Sequence, residues 1–276
     1  MLAELPPAFA RTTRISLALF AIALVGLLID HREITGAPAW LKPAKFGISS
    51  AIYLFTLGRM TKDLPSTRLL RIATSLIGWI LVSEVIVIDV QAIRGTTSHF
   101  NIDTPLNAAI FSSMGVGIGI VWLMSMVLLW LHLRTEVSDR AMAAALRVGL
   151  ALNILGAGTG WTMTQIRPAQ VESLSRGDHP FLAGSHTIGA PDGGPGLPLV
   201  KWSTEHGDLR VPHFLGMHAL QLLPLLLLGI RRFRGRRNDA LEVTAVVMAA
   251  ATCAAIFLAA LAQALAGLPL YPLTAS

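Results

Sequence analysis

Long apolar runs alternate with short polar stretches along the whole chain, and that pattern sets the first reading. Seven runs stand out: Ile15 to Ile29, Phe46 to Met60, Leu69 to Ile93, Leu106 to Leu131, Ala141 to Thr164, Val211 to Ile230 and Leu241 to Ala266. At about 1.5 Å per residue, runs near 20 residues match the hydrocarbon thickness of a bilayer. The run Phe46 to Met60 is short, which tilt or local thinning accommodates. The pattern predicts an all-α, polytopic transmembrane bundle of about seven spans in a single membrane domain, residues 1–276. Ile15 to Ile29 also has the character of a signal peptide, with Ala37-Pro38-Ala39 as a small-x-small site. That site lies far from the run and six more spans follow, so a first transmembrane helix is the better reading.

Composition agrees. The chain is 53% hydrophobic and 14% charged, with a mean hydropathy of +0.61, where a soluble domain carries about 25% charged residues. The net charge of +6 is then topology-setting charge at the membrane surface rather than a nucleic-acid signal. The single cysteine, Cys253, lies in an apolar run and excludes both an intramolecular disulfide and a cysteine metal cage.

Loop charge predicts the orientation. The arginines from Arg231 to Arg237 place that loop in the cytoplasm, and alternation places the N-terminus inside and the C-terminus outside. Thirteen Lys and Arg then lie inside and eight outside, with Arg147 within a span. The same run suits contact with anionic lipids. The expected location is the cell membrane, as a multi-pass protein in the lipid bilayer. The one long connector, residues 165–210, falls outside. It is dense in Gly and Pro, matches no phosphate-binding pattern, and carries Leu197, Pro198, Leu199, Val200 and Trp202 as a potential lid.

Candidate chemistry gathers toward the outer side. Polar groups inside a span are costly and face a partner or a cavity. Lys201 to Pro224 is the densest case: a polar loop with Glu205, His206, Asp208 and Arg210 turns at Pro212 into an apolar helix bearing His213, His218 and Gln221. Glu84 and Asp89 lie in the third run. Glu84 is about 13 Å below the outer end of its helix and His218 about 10 Å below the start of its own, so one polar layer is expected. Glu84 and Gln91, seven apart, share a face; His213 and His218, five apart, do not form a helical two-histidine metal pair. His99 sits in a short outer turn, whereas His179, His186 and His206 read as solvated loop residues. Gly115, Gly117 and Gly119 in the fourth run and Gly156, Gly158 and Gly160 in the fifth predict close packing between those two helices. A weak likeness between KPAKFGISSA and RVPHFLGMHA suits a parallel duplication, spans one to three against five to seven.

Two functional classes follow. The first is a membrane enzyme or redox protein in which His99, His213 and His218 hold a transition metal or haem b, with Glu84 and Asp89 as catalytic carboxylates. The second is a proton- or ion-coupled carrier of a small solute, relayed by Glu84 and His218. A structural membrane subunit is the plainest alternative. The sequence names no substrate, small molecule or lipid.

Overall fold

The computed structural model describes residues 4–62, 64–178, 181–234 and 238–270. His179, Arg236, Arg237 and Tyr271 lie outside them. Helix α1 (Pro7–Ile29) leads into an antiparallel hairpin of β1 (Glu33–Ile34) and β2 (Ala37–Pro38). Helices α2 (Leu41–Thr61), α3 (Arg68–Ile93), α4 (Pro105–Arg134) and α5 (Arg140–Gly158) follow. The short α6 (Gly160–Met163) and α7 (Pro168–Arg176) open the long connector, which then pairs β3 (Thr187–Ile188) with β4 (Gly207–Asp208). Helices α8 (Arg210–Arg234) and α9 (Asp239–Leu265) come after it.

Local chemistry sets the helix starts. Thr67, Thr104, Asp139 and Asn238 each accept a backbone N–H of the first turn with a side-chain oxygen, capping α3, α4, α5 and α9. Such a cap is worth about 1 kcal/mol. Six helical stretches are long and apolar enough to cross a membrane: α1, α3, α4, α5 with its continuation, α8 and α9. Helix α2 runs beside α1 and α3. Lys42, Lys45, Ser49, Ser50 and Arg59 leave it less apolar than the rest, so the seven expected runs become six clear spans and one more polar helix.

Packing divides the long helices into two sets of three. Helices α1, α2 and α3 all touch one another, as do α5, α8 and α9, and α4 joins the sets through α3 and α5. This is the grouping that the KPAKFGISSA and RVPHFLGMHA likeness suggests. The two stretches place Pro43 and Gly47 as Pro212 and Gly216 are placed, four residues apart. Both glycines do the same work. A Cβ on Gly47 would lie 3.0 Å from the Phe20 backbone of α1, and one on Gly216 only 2.6 Å from Gly156 Cα of α5. Leu54, Leu57, Ile77, Leu128, Leu150 and Leu220, all fully buried, bring α2, α3, α4, α5 and α8 into one apolar core, to which α1 adds Phe9.

The glycines of α4 and α5 meet the expectation only in part: Gly158 faces Trp122 of α4, but the others turn elsewhere. Gly117 faces Glu84 and Ile80 of α3, Gly119 faces Trp161, Gly156 meets α8, and Gly115 has nothing within 4 Å. The reason is that α5 lies chiefly against α8, not against its sequence neighbour α4.

The end of the bundle away from the connector is held by arginines. Arg231 lies 2.6 Å from both Asp139 and Glu242, tying α8 to the starts of α5 and α9. Arg147 donates to the carbonyls of His132 and Thr135 at 2.8 Å and so satisfies the end of α4. Of the basic run expected at the lipid surface, Arg231 is therefore an internal tie, and Arg232 and Arg234 are exposed.

Gly216→Leu should lower the melting temperature in detergent, because overfilling a close contact costs about 1–3 kcal/mol. Gly115→Ala, which meets open space in a helix, should leave it unchanged or raise it. Equal behaviour of the two variants in a thermal melt would contradict the packing described.

Candidate functional site

The site is assembled at the connector end, beginning with the turn between α3 and α4. Gln91, near the end of α3, donates to Thr97 O and Asn107 Oδ1 at 3.4 Å and accepts from Arg94 at 2.5 Å. These bonds fix residues 94–104 against both helices. Thr97 Oγ1 then holds the His99 carbonyl and Asn101 Nδ2 donates to Thr96 Oγ1, at 2.5 and 2.8 Å. The result presents His99 among Phe46, Phe100 and Phe111, with ring centroids 5.8–6.5 Å away.

Lys42, in the first turn of α2, reaches this ring. Its Nζ lies 3.1 Å from His99 Nδ1, and Ser98 Oγ lies 3.0 Å from the same nitrogen. With Lys42 as an ammonium, which only donates, Nδ1 is the acceptor and the proton of the neutral ring sits on Nε2. Burial, reinforced by the Lys42 charge, pushes His99 well below the usual imidazole value. Lys42 also lies 5.8 Å from the Phe46 ring centroid. No carboxylate comes within ion-pair distance of it among the described residues.

The connector adds the second half. Asp192 accepts from Ser185 Oγ, the backbone N–H groups of His186 and Thr187, and Thr187 Oγ1, at 2.9–3.1 Å. It also takes His186 Nδ1 at 2.6 Å. Burial holds His186 below its usual value, so the neutral ring donates from Nδ1 and keeps Nε2 as an acceptor. The His186 ring meets Phe100 edge-on at 4.9 Å, and its charge state acts on that of His99. Residues 181–183 clip onto the 94–104 turn through Ala183 N to Phe100 O, 2.7 Å, and Ile102 N to Phe181 O, 3.1 Å. Trp202 meets Phe214 edge-on at 5.4 Å, and Phe214 lies tilted against His218 at 4.1 Å.

The predicted residues divide. Glu84 is buried on α3 beside Gly117, whose missing side chain leaves room for the carboxylate, 3.1 Å from where a Cβ would stand. Its charge acts on Lys42, and Arg94 and Lys45 are bonded elsewhere. Asp89 is also buried, one turn nearer the connector, and its Oδ1 has no hydrogen-bond partner among the described residues. His213 is committed through Nδ1 to the Gly156 carbonyl at 2.9 Å, closing the end of α5. His218 lies against Phe214. Ser112 and Ser113 are on the exposed side of α4 and stand outside this polar layer. Among the described residues, no three His, Cys, Asp or Glu side chains are grouped as metal ligands.

Sequence reading passed over Lys42, Asp192 and His186. His186 is half-buried rather than a solvated loop histidine. The signal for it was SHTIGAPD, in which an acid follows a histidine by six residues across Gly and Pro, the spacing of a tight turn closed by a carboxylate. His99 is a candidate by itself, but nothing local points to its pairing with Lys42, 57 residues away.

The cluster offers an ammonium, an imidazole N–H, an imidazole acceptor and a carboxylate, bordered by Phe46 and Phe111. That is a set for binding a small polar molecule and moving a proton. No family model, no curated protein and no solved structure matches the chain.

The neutral histidines have a consequence for stability. The unfolded chain protonates them near pH 6.5, about the free imidazole value, and the folded chain resists. Stability is therefore complete above that value and falls as acid is added. We expect the melting temperature in detergent to drop between about pH 7 and about pH 5, and His99→Gln to make the drop shallower. An unchanged slope in that variant would remove His99 as a source.

Proposed function

We propose that the protein is a membrane carrier for a small solute, taken up at the connector end and coupled to a proton or cation through Glu84. The observation that carries this is Glu84 itself. It is a buried carboxylate with no cation at ion-pair distance among the described residues, facing α4, the helix that joins the two sets. Ionisable groups inside a membrane bundle are expensive, and they persist on ion and proton pathways. The rest of the architecture suits the role. Two sets of three helices of like packing are a recurrent plan for alternating access, with the substrate between them. Here the polar cluster lies over an apolar core to which both sets contribute, so solute reaching Lys42 and His99 is stopped by Leu54, Leu57 and Leu220. Seven crossings with the connector outside, in the cell membrane, complete the reading, and residues 165–210 serve as its lid.

The metal or haem reading has less to rest on. Among the described residues no three His, Cys, Asp or Glu side chains group as metal ligands, and of the three candidate histidines it is His99 that touches Lys42.

The experiment is flux across proteoliposomes loaded with a pH-sensitive dye, challenged with a panel of small acids, sugars and amines. Wild-type protein should give a lumenal pH change with at least one class, and Glu84→Gln should remove most of it. If no solute moves faster than in protein-free vesicles, or if Glu84→Gln transports as well as wild type, the proposal fails.

A further inference from the structure

We infer that the solute is a small organic anion whose carboxylate, or equivalent oxyanion, is taken by Lys42 and Lys45 with its apolar body against Phe46 and Phe111. The inference rests on the reading of this cluster as the solute site. The argument begins with charge. Lys42, Lys45, Lys201 and Arg210 come together near the mouth, close enough for their charges to act on one another. The nearby acids of the connector are already occupied. Asp208 takes Arg210 at 2.6 Å and Asp192 is saturated by His186, Ser185 and Thr187. That leaves two ammonium groups without a carboxylate at ion-pair distance among the described residues. Glu84 acts on Lys42 from below but does not pair with it.

The placement of the two lysines sharpens this. They are three residues apart on α2, hence neighbours on its surface, where like charges repel. Lys42 stands in the first turn and Lys45 directly after it; that turn contains no acidic residue, and the helix dipole there favours anions over cations. A bridging oxyanion relieves both costs. What each ammonium touches instead is weak or exchangeable: His99 Nδ1 for Lys42 and the Val200 carbonyl at 3.4 Å for Lys45. The neighbouring His99 keeps its Nε2–H free to donate to a second oxygen. Around these donors Phe46, 36% exposed, and the half-buried Phe111 supply an aromatic wall. A charged head with an apolar body fits that pairing, and a sugar or an amine does not.

The test uses the full chain in detergent, with sodium benzoate, neutral benzamide and cationic benzylamine as probes of one shape, and acetate and phosphate as further anions. Calorimetry should show binding of benzoate and not of benzamide or benzylamine. Lys42→Gln and Lys45→Gln should each weaken benzoate binding tenfold or more, Lys42→Arg should retain it, and Arg68→Gln, at the far end of the bundle, should leave it unchanged. Gel filtration and thermal melts confirm that each variant is folded; a misfolded Lys42→Gln leaves Lys45→Gln and Lys42→Arg to decide. Benzamide or benzylamine binding as well as benzoate overturns the inference, as does unchanged affinity in the folded lysine variants. So does wild-type protein that binds none of the anions. Benzoate binding through Lys42 without flux would sink the carrier reading alone, whereas Glu84-dependent flux of a neutral or cationic solute would sink the anion inference alone.

Discussion

Gly47 and Gly216 let α2 and α8 lie against α1 and α5 with backbone nearly touching backbone. Most of the architecture follows from those two contacts. In a bilayer, apolar side chains gain little by leaving lipid, so helices associate where small residues permit close van der Waals approach. Each contact sits four residues beyond a proline near the start of its helix. It therefore fixes the first turn as well as the axis. On α2 that turn carries Lys42, with Lys45 directly after it; on α8 it carries Arg210 and His213. Moving either glycine contact would move the polar cluster with it, which is why packing and site are one problem here.

The two helix starts also hold the connector. Lys45 donates to the Val200 carbonyl and Arg210 to the adjacent Lys201 carbonyl, at 3.4 and 2.5 Å. One cation comes from each three-helix set and both end on the same peptide segment. Leu199 and Lys201 there adopt positive φ, 62° and 57°, a conformation that non-glycine residues avoid unless their surroundings impose it. The connector is thus clamped jointly, and any rotation of one set against the other pulls on it.

Much of the bundle is legible in the sequence because apolar length is local. The runs gave most helices to within a few residues, but α1 begins at Pro7 rather than Ile15 and α2 at Leu41 rather than Phe46; the helical phase that puts Glu84 and Gln91 on one face agrees with the burial of both. The pairing of KPAKFGISSA with RVPHFLGMHA anticipated two like sets. What periodicity does not encode is which neighbour a face meets. Of the α5 glycines expected against α4, Gly158 faces Trp122 of α4 but Gly156 belongs to α8, and His213, a candidate metal ligand, closes the end of α5. Lys42 read as topology charge because its partner is far along the chain, and His186 read as solvent-exposed because its carboxylate lies across an irregular turn. Long-range pairs between loops leave no period to detect.

The cost of the polar cluster explains its composition. An isolated ammonium removed from water loses several kcal/mol unless something replaces its hydration. Lys42 has only a neutral imidazole, a hydroxyl shared through that imidazole, and an aromatic face. A cluster meant solely to hold the bundle together would place a carboxylate beside it, as Arg231 has Asp139 and Glu242 at the far end and Arg210 has Asp208. Among the described residues, the same chain that pairs those guanidinium groups puts no carboxylate in contact with Lys42, though two acids are near enough to act on it. That contrast within one molecule sets Lys42 apart from the cations that tie the helices together.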